Sequence, residues 1–210
     1  SSDLRSGRPP RLLFLRTLGW AETDSASRTA LTSLLTRLRR QGVEIADRQE
    51  RTVAALEAGL DAHVGSFAEI LAYEMQWPYG EYVRRHGPRA VGPRIRELLA
   101  QARDVSQRAY ARRLRERQRW RETVNRWLGR YDAIITLASS GPAPRGLRQT
   151  GSRTFLAYAS WLGLPSLAVP LLRVEPGLPV GVQLIGREGD DRALCELGNW
   201  LTQTAQGRQT

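Results

Sequence analysis

A cysteine and two histidines are the first side chains in this sequence that could do chemistry. Cys195 with His63 or His86 would form a nucleophile–base pair, because an imidazole can take the proton of a thiol. Cys195 falls between Leu194 and Leu197 in a helical pattern, which favours a buried structural thiol instead. The histidines match no zinc-ligand spacing with each other or with Cys195, so we expect no metal site.

Two further patterns have chemical alternatives that we consider weaker. Asp190 and Asp191 could act as paired carboxylates, but they precede a helical pattern and helix capping explains them without chemistry. The glycine-rich segments match neither the P-loop pattern nor the dinucleotide-binding pattern. The sequence therefore predicts no bound cofactor.

The elements that would position any site begin with a βαβ unit over residues 1–50. The apolar run Arg11–Thr17 is typical of a buried strand. Thr23 or Asp24 can cap the helix that follows, in which leucines recur at helical spacing. Val43–Ala46 completes the unit as a second short strand, and we expect the two strands to be parallel.

Residues 51–130 form a predicted helical segment. We expect two helices from Arg51 to about Gln76, with a break near Gly59 or Gly65. The run WPYGEYVRRHGPRAVGP contains several glycines and prolines, and it predicts an irregular connection. Pro93 fits the first turn of a long helix that carries an intermittent apolar stripe.

This long helix also holds most of the excess positive charge. The net charge is +11, and every basic residue other than histidine is arginine, since the sequence contains no lysine. Between Arg94 and Arg130 there are twelve arginines and four acids. We favour a solvated helix surface over a nucleic-acid surface, because no known nucleic-acid-binding motif accompanies these arginines.

The pattern of residues 131–210 predicts the closing strands of a sheet and a final helix. Tyr131–Leu137 reads as a strand buried on both faces, and Ser152–Leu162 as a short helix. Ser166–Leu172 and Val180–Gly186 read as two further strands. The order of elements predicts an α/β fold, a mixed β-sheet with helices packed on its faces.

Length and composition limit the class of protein. A chain of 210 residues with 41% apolar residues is large enough for one globular domain. No apolar run approaches the roughly 20 residues of a membrane span, and no signal peptide is visible. From these two observations we expect a cytoplasmic location and no membrane partner. With one cysteine an intrachain disulfide is impossible, so export to an oxidising compartment gains no support.

The final third of the chain resembles the closing section of the amidase signature family. The resemblance lies in the segments YDAIITLASSGPAPRG, TGSRTF, WLGLPSLAVPLL and GLPVGVQLIGREGDDRALCELGNWL, in that order. A looser likeness covers PPRLLFLRTLGW and the GVEI strand. The resemblance implies that residues 1–210 form the C-terminal part of one amidase-signature domain. It also implies hydrolysis of a carboxylic amide, or transfer of the ammonia released, with a small-molecule amide as substrate.

The catalytic residues of that family do not map onto this sequence. The family uses a serine nucleophile, a bridging serine and a lysine base, and a Gly/Ser-rich stretch carries the serines. Ser139–Ser140–Gly141 follows the wrong strand for that stretch, and the sequence has no lysine. We therefore expect no catalytic residue in this chain, and activity only with an N-terminal catalytic portion. Apolar surface left exposed without that portion would favour self-association.

The resemblance also suggests substrate-binding residues, namely Ser139, Arg153, Phe155 and Trp161. Each has a plainer alternative, since an arginine there could be a surface residue and the two aromatic residues could belong to the core. Leu137 and Ser160–Trp161 depart from residues common in the family, which leaves the substrate open. A non-catalytic protein that binds RNA through the arginine-rich helix stays as one alternative, and a component of an amidotransferase stays as another.

Overall fold

The computed structural model describes residues 8–205 and contains one five-stranded mixed sheet. The strands are β1 Arg11–Phe14, β2 Glu44–Ala46, β3 Ala133–Leu137, β4 Ser166–Val174 and β5 Leu178–Ile185. Their order in the sheet is β2-β1-β3-β5-β4. β1 pairs in parallel with both β2 and β3, whereas β5 runs antiparallel to β3 and to β4. This architecture confirms the predicted α/β class.

The first βαβ unit forms as its sequence predicts. Helix α1 spans Ser25–Arg40, and the carboxylate of Asp24 caps it by accepting a hydrogen bond of 2.7 Å from the backbone N–H of Ser27. The chain leaves α1 through Gly42, whose φ of 86° is a left-handed conformation that glycine adopts without strain. β2 then pairs in parallel with β1, as expected.

The predicted connection after Gln76 is wrong, because the helix continues through it. α2 spans Arg51–His63 and α3 spans Ser66–His86, so the break falls at residues 64 and 65. Pro78 lies inside α3 on an exposed side, where water can solvate the carbonyl group that loses its helical partner. The helix persists because tertiary packing against the next helix outweighs the local breaker signal.

The predicted long arginine-rich helix is divided into two. α4 spans Pro93–Ala102 and α5 spans Gln107–Leu128. Ser106 separates them, because its hydroxyl accepts a hydrogen bond of 3.2 Å from the N–H of Ala109 and so caps a new helix. The serine was the local signal for this break, and the apolar stripe that runs across it concealed it.

The remaining helices pack on opposite faces of the sheet. α6 spans Thr154–Leu162 and α7 spans Asp191–Ala205. One core cluster joins α1 and α7 to the sheet, and the other joins α2, α3, α5 and α6 to it. Buried members of the first include Leu31, Leu34, Leu38, Leu194, Leu197 and Leu201. Buried members of the second include Val53, Leu60, Ile70, Val124, Tyr158 and Trp161.

None of the helices in residues 8–205 combines the length and the apolar character that crossing a bilayer would require.

Candidate functional site

The loop that follows β3 lies at the carboxyl edge of the parallel strands, beside the start of α1. The carbonyl oxygen of Ser140 accepts a hydrogen bond of 3.0 Å from the N–H of Asp24. Ala138 donates its N–H to the carbonyl of Gly181 on β5 at 2.8 Å, which extends the sheet pairing by one residue. These two bonds fix the first residues of the loop between α1 and β5.

Gly141 lets this loop approach α1 closely. A Cβ atom at that position would collide with Oδ2 of Asp24. The same Oδ2 accepts a hydrogen bond of 2.8 Å from the hydroxyl of Ser27, and Oδ1 accepts the capping bond. Asp24 is therefore committed to the helix start and to the loop, and its carboxylate serves a structural purpose.

A cavity of about 470 Å³ opens in this loop. Its size falls in the range typical of small-molecule sites, roughly 300–1,000 Å³. The lining offers hydroxyl and amide groups and no charged side chain, so it suits a neutral polar ligand. Its lining residues are Ser139, Ser140, Gly141, Pro142, Ala143, Pro144, Gln149, Thr150, Gly151, Ser152 and Pro179.

The four predicted substrate-binding residues occupy different surroundings. Ser139 lines the cavity, and its hydroxyl donates a hydrogen bond of 2.7 Å to the carbonyl of Gly141. Arg153 is exposed; it follows the lining residue Ser152 and lies directly before α6. Phe155 and Trp161, both on α6, are buried in different core clusters, and neither lines the cavity. Their role toward a substrate stays a prediction.

A buried polar cluster lies under the turn after β1. Glu57 on α2 is 1% exposed, and its Oε1 accepts hydrogen bonds from the N–H groups of Arg16 and Thr17, the second at 2.9 Å. The turn needs these partners because Thr17 has φ 57° and ψ 178°, a backbone conformation populated almost only by glycine. The other carboxylate oxygen of Glu57, Oε2, lies 3.0 Å from the guanidinium group of Arg48.

Tyr158 on α6 completes this cluster. Its hydroxyl accepts a hydrogen bond of 3.0 Å from the N–H of Leu18 and donates one of 2.5 Å to Asp61, one turn after Glu57 on α2. Burial raises the pKa of Asp61 above its ordinary value, although the bond from Tyr158 acts in the opposite direction. Burial, and then the bond to Asp61, raise the pKa of the Tyr158 hydroxyl. The sequence analysis missed this cluster, and Glu57 within an apolar helical stripe was the available signal.

The rival nucleophile–base pairs find no support in this arrangement. Cys195 lies in α7 as predicted, but it is exposed, so the expectation of a buried thiol is wrong. It follows Leu194 by one residue, about 100° around the helix, and therefore turns toward solvent while Leu194 faces the core. His63 stands beside Glu116 on α5 with a 3.2 Å separation, and His86 contacts the ring of Tyr82. No cluster of three metal-ligating side chains occurs among residues 8–205.

The sheet topology and the loop cavity define an α/β protein with a candidate small-molecule site at the carboxyl edge of parallel strands. The Amidase family model matches residues 3–195, and the chain belongs to that family.

Curated relatives match shorter segments of the chain. A glutamyl-tRNA(Gln) amidotransferase subunit of Nitrobacter winogradskyi is 48% identical over 87 residues, which is 38% of this chain and 18% of that protein. The subunit of the same name from Treponema denticola is 30% identical over 112 residues, 50% of this chain and 23% of that protein. The matched segments thus span less than a quarter of these relatives.

Solved structures share the fold over nearly the whole chain. A crystal structure of an amidase superposes with a TM-score of 0.77 at 24% identity and covers 97% of this chain and 46% of its own. The allophanate hydrolase of Kluyveromyces lactis gives 0.76 at 17% identity, covering 96% of this chain and 34% of its own. The chain therefore spans less than half the length of these structures, which at such identities inform on the fold alone.

Proposed function

We propose that this chain is the C-terminal portion of an amidase, which hydrolyses the C–N bond of a carboxylic amide and releases ammonia. One observation carries the proposal, namely that the family model extends over residues 3–195. The serine nucleophile, the bridging serine and the lysine base would come from an N-terminal catalytic portion. That division agrees with a sequence that contains no lysine. The assignment of residues 1–210 to one amidase-signature domain and the cytoplasmic location stay predictions.

In this proposal the loop after β3 forms one wall of the substrate pocket. An amide substrate is neutral and polar, which suits a lining of hydroxyl, amide and backbone groups. The Ser139 hydroxyl donates its hydrogen bond to the carbonyl oxygen of Gly141, so its own oxygen is left to accept a hydrogen bond from the substrate's NH₂ group. Arg153 would pair with a carboxylate on those substrates that carry one, because its planar guanidinium fits two oxygens. Phe155 and Trp161 would support the wall from within the core.

The purified 210-residue chain is expected to release no ammonia from a panel of aliphatic, aromatic and amino-acid amides. A serine hydroxyl without an adjacent base is a weak nucleophile, so a fluorophosphonate probe should also leave the chain unlabelled. Ammonia release above the level of heat-denatured protein would contradict the proposal. In the gene, an in-frame Gly/Ser-rich stretch preceded by a lysine codon is expected upstream of the Ser1 codon.

A second candidate is a component of an amidotransferase, which passes the released ammonia to a second substrate. The names of the curated relatives favour it. Affinity purification of the tagged chain from its source cells distinguishes the two. A free amidase would be recovered only with its own catalytic portion, whereas an amidotransferase component would be recovered with further subunits and would use glutamine as ammonia donor.

A further inference from the structure

The outward face of α5 carries a straight row of arginines, which we call the arginine stripe. It consists of Arg108, Arg112, Arg115, Arg119 and Arg126, and all five side chains are exposed. Their spacings of four, three, four and seven residues keep the positions within about 60° of arc on a helix of 3.6 residues per turn. The stripe runs along the helix for about 27 Å at 1.5 Å per residue.

Two arginines on the inward faces of α5 are used by the fold. Arg113 forms ion pairs with Glu69 on α3 at 2.7 Å and with Glu116 at 3.0 Å. Arg121 donates to the carbonyl of Leu162 at 2.6 Å and lies 3.1 Å from Glu188. These side chains tie α5 to α3, to α6 and to the segment after β5.

The stripe has no comparable structural use. Within residues 8–205, Arg108, Arg112, Arg115 and Arg119 form no hydrogen bond or ion pair through their guanidinium groups, and Arg126 donates only to the neutral hydroxyl of Thr123. The stripe thus presents unpartnered donors to solvent, although Arg112 is close enough to Glu69 for an electrostatic attraction.

The stripe also works against the stability of the helix. Like charges three or four residues apart destabilise a helix by about 0.2–0.5 kcal/mol per pair. Glu122 is the one acid on this face, and its carboxylate accepts a hydrogen bond of 3.0 Å from Gln118. The helix is held instead by its opposite face, where Val124 and Leu128 are buried. A row of like charges that lowers helix stability is consistent with a ligand of opposite charge.

The composition of this face decides which ligand fits. The exposed large apolar side chains of the described residues all lie outside α5. A protein partner would therefore find no aromatic or aliphatic anchor, on which binding energy between proteins usually depends. A phosphodiester backbone needs only cations in a row, since its affinity comes from neutralised phosphates and released counterions.

We propose that the arginine stripe binds the phosphate backbone of a nucleic acid, without reading its base sequence. The stripe is long enough to face roughly eight phosphates at 3.4 Å per nucleotide of a stacked strand. The sequence alone favoured a solvated helix surface. The structure adds that, among the described residues, four of the five α5 arginines without a guanidinium hydrogen bond or ion pair lie in this row; the fifth, Arg117, is half-buried on the opposite side of the helix.

The test compares two variants of equal charge by fluorescence anisotropy across a series of KCl concentrations. The first replaces Arg108, Arg112, Arg115 and Arg119 by Gln. The second, a matched control, replaces four exposed arginines elsewhere by Gln, namely Arg37, Arg40, Arg51 and Arg89. The probes are labelled single-stranded RNA, single-stranded DNA and duplex RNA, with a polyglutamate peptide and vesicles of phosphatidylserine and phosphatidylcholine alongside. Circular dichroism verifies that both variants are folded.

The stripe variant is expected to reduce the slope of log affinity against log salt by about 3 for single strands, because each phosphate contact contributes about 0.7. The control variant should change it by less than about 1. Replacing the four stripe residues by Lys should preserve the slope, and the three nucleic-acid probes show which kind of strand is preferred. An equal reduction of this slope in the stripe and control variants would mean that binding depends only on net charge, and would overturn the proposal. Preference for polyglutamate or vesicles, or no nucleic-acid binding at low salt, would also overturn it.

Discussion

At the scale of single residues, the turn after β1 is held in place by a few buried polar groups. Thr17 has a backbone conformation that costs about 1–3 kcal/mol for a residue other than glycine. Glu57 accepts the N–H groups of Arg16 and Thr17, and Tyr158 accepts that of Leu18. Three consecutive backbone donors are therefore satisfied by side chains from α2 and α6, and this support compensates for the strain.

Replacing Glu57 by Ala is expected to lower the free energy of unfolding by about 3 kcal/mol, because two buried N–H groups and Arg48 lose their partner. Glu50→Ala is the matched control. Glu50 is exposed and makes no capping bond, so its loss should change stability by less than about 0.5 kcal/mol. Urea denaturation followed by tryptophan fluorescence measures both variants. Similar losses in the two would contradict the role assigned to Glu57.

At the scale of elements, close packing between helices matters more than the propensity of each helix. Gly59 lies within α2 where α5 crosses it, and a Cβ atom there would collide with the ring of Trp120. That ring is also held against His63, with 5.1 Å between ring centroids. Gly80 lies within α3, and a Cβ atom there would meet no atom within 4 Å.

These two glycines predict opposite effects of the same substitution. Gly80→Ala should stabilise the protein by about 0.5–1 kcal/mol through helix propensity. Gly59→Ala should destabilise it by about 1–2 kcal/mol, because overpacking against Trp120 exceeds that gain. Thermal unfolding monitored by circular dichroism compares the two with the parent chain. An increase in melting temperature for Gly59→Ala would show that α2 and α5 are less closely packed than described.

At the scale of the whole molecule, arginine–carboxylate pairs connect elements that are distant in sequence. Arg11 on β1 donates to Glu44 on β2 at 2.7 and 2.8 Å, and Arg113 on α5 pairs with Glu69 on α3. The hydrogen bond from each arginine holds the pKa of its partner glutamate below the ordinary value. Asp61 behaves in the opposite way, because burial raises its pKa.

These directions set how stability depends on pH. Glu44 and Glu69, with lowered folded-state pKa values, contribute stability that is present above about pH 4.3 and is lost as the pH falls through those values. The contribution of Asp61 is present below about pH 3.9 and is lost as the pH rises through its raised pKa. The urea concentration at the midpoint of unfolding should therefore decrease as the pH is lowered from 5 to 3, in the direction that Glu44 and Glu69 set. The decrease in the urea midpoint should be smaller for Glu69→Gln than for the parent chain. A larger decrease in that variant would contradict the stabilising role assigned to Glu69.

The sequence by itself determined the local elements, because the patterns that define them repeat within a few residues. Leucine spacing and a capping aspartate set α1, and the mostly apolar run at Ala133–Leu137 set a buried strand. Short segments of the final third of the chain, in their order, carried the resemblance to the amidase family, which the family match confirmed. At Pro78 in α3 the packing of that helix against α4 opposed the local breaker signal, and the predicted irregular connection was wrong.

Only the tertiary structure decided which distant side chains meet. No local pattern relates Glu57 to the backbone of Thr17, since 40 residues separate them and their contact depends on how α2 packs on the sheet. The same holds for the loop cavity beside α1 and for the division of the α5 arginines between the fold and the solvent. Sequence patterns record the periodicity of one element, whereas a site depends on the geometry between several elements, which packing alone fixes.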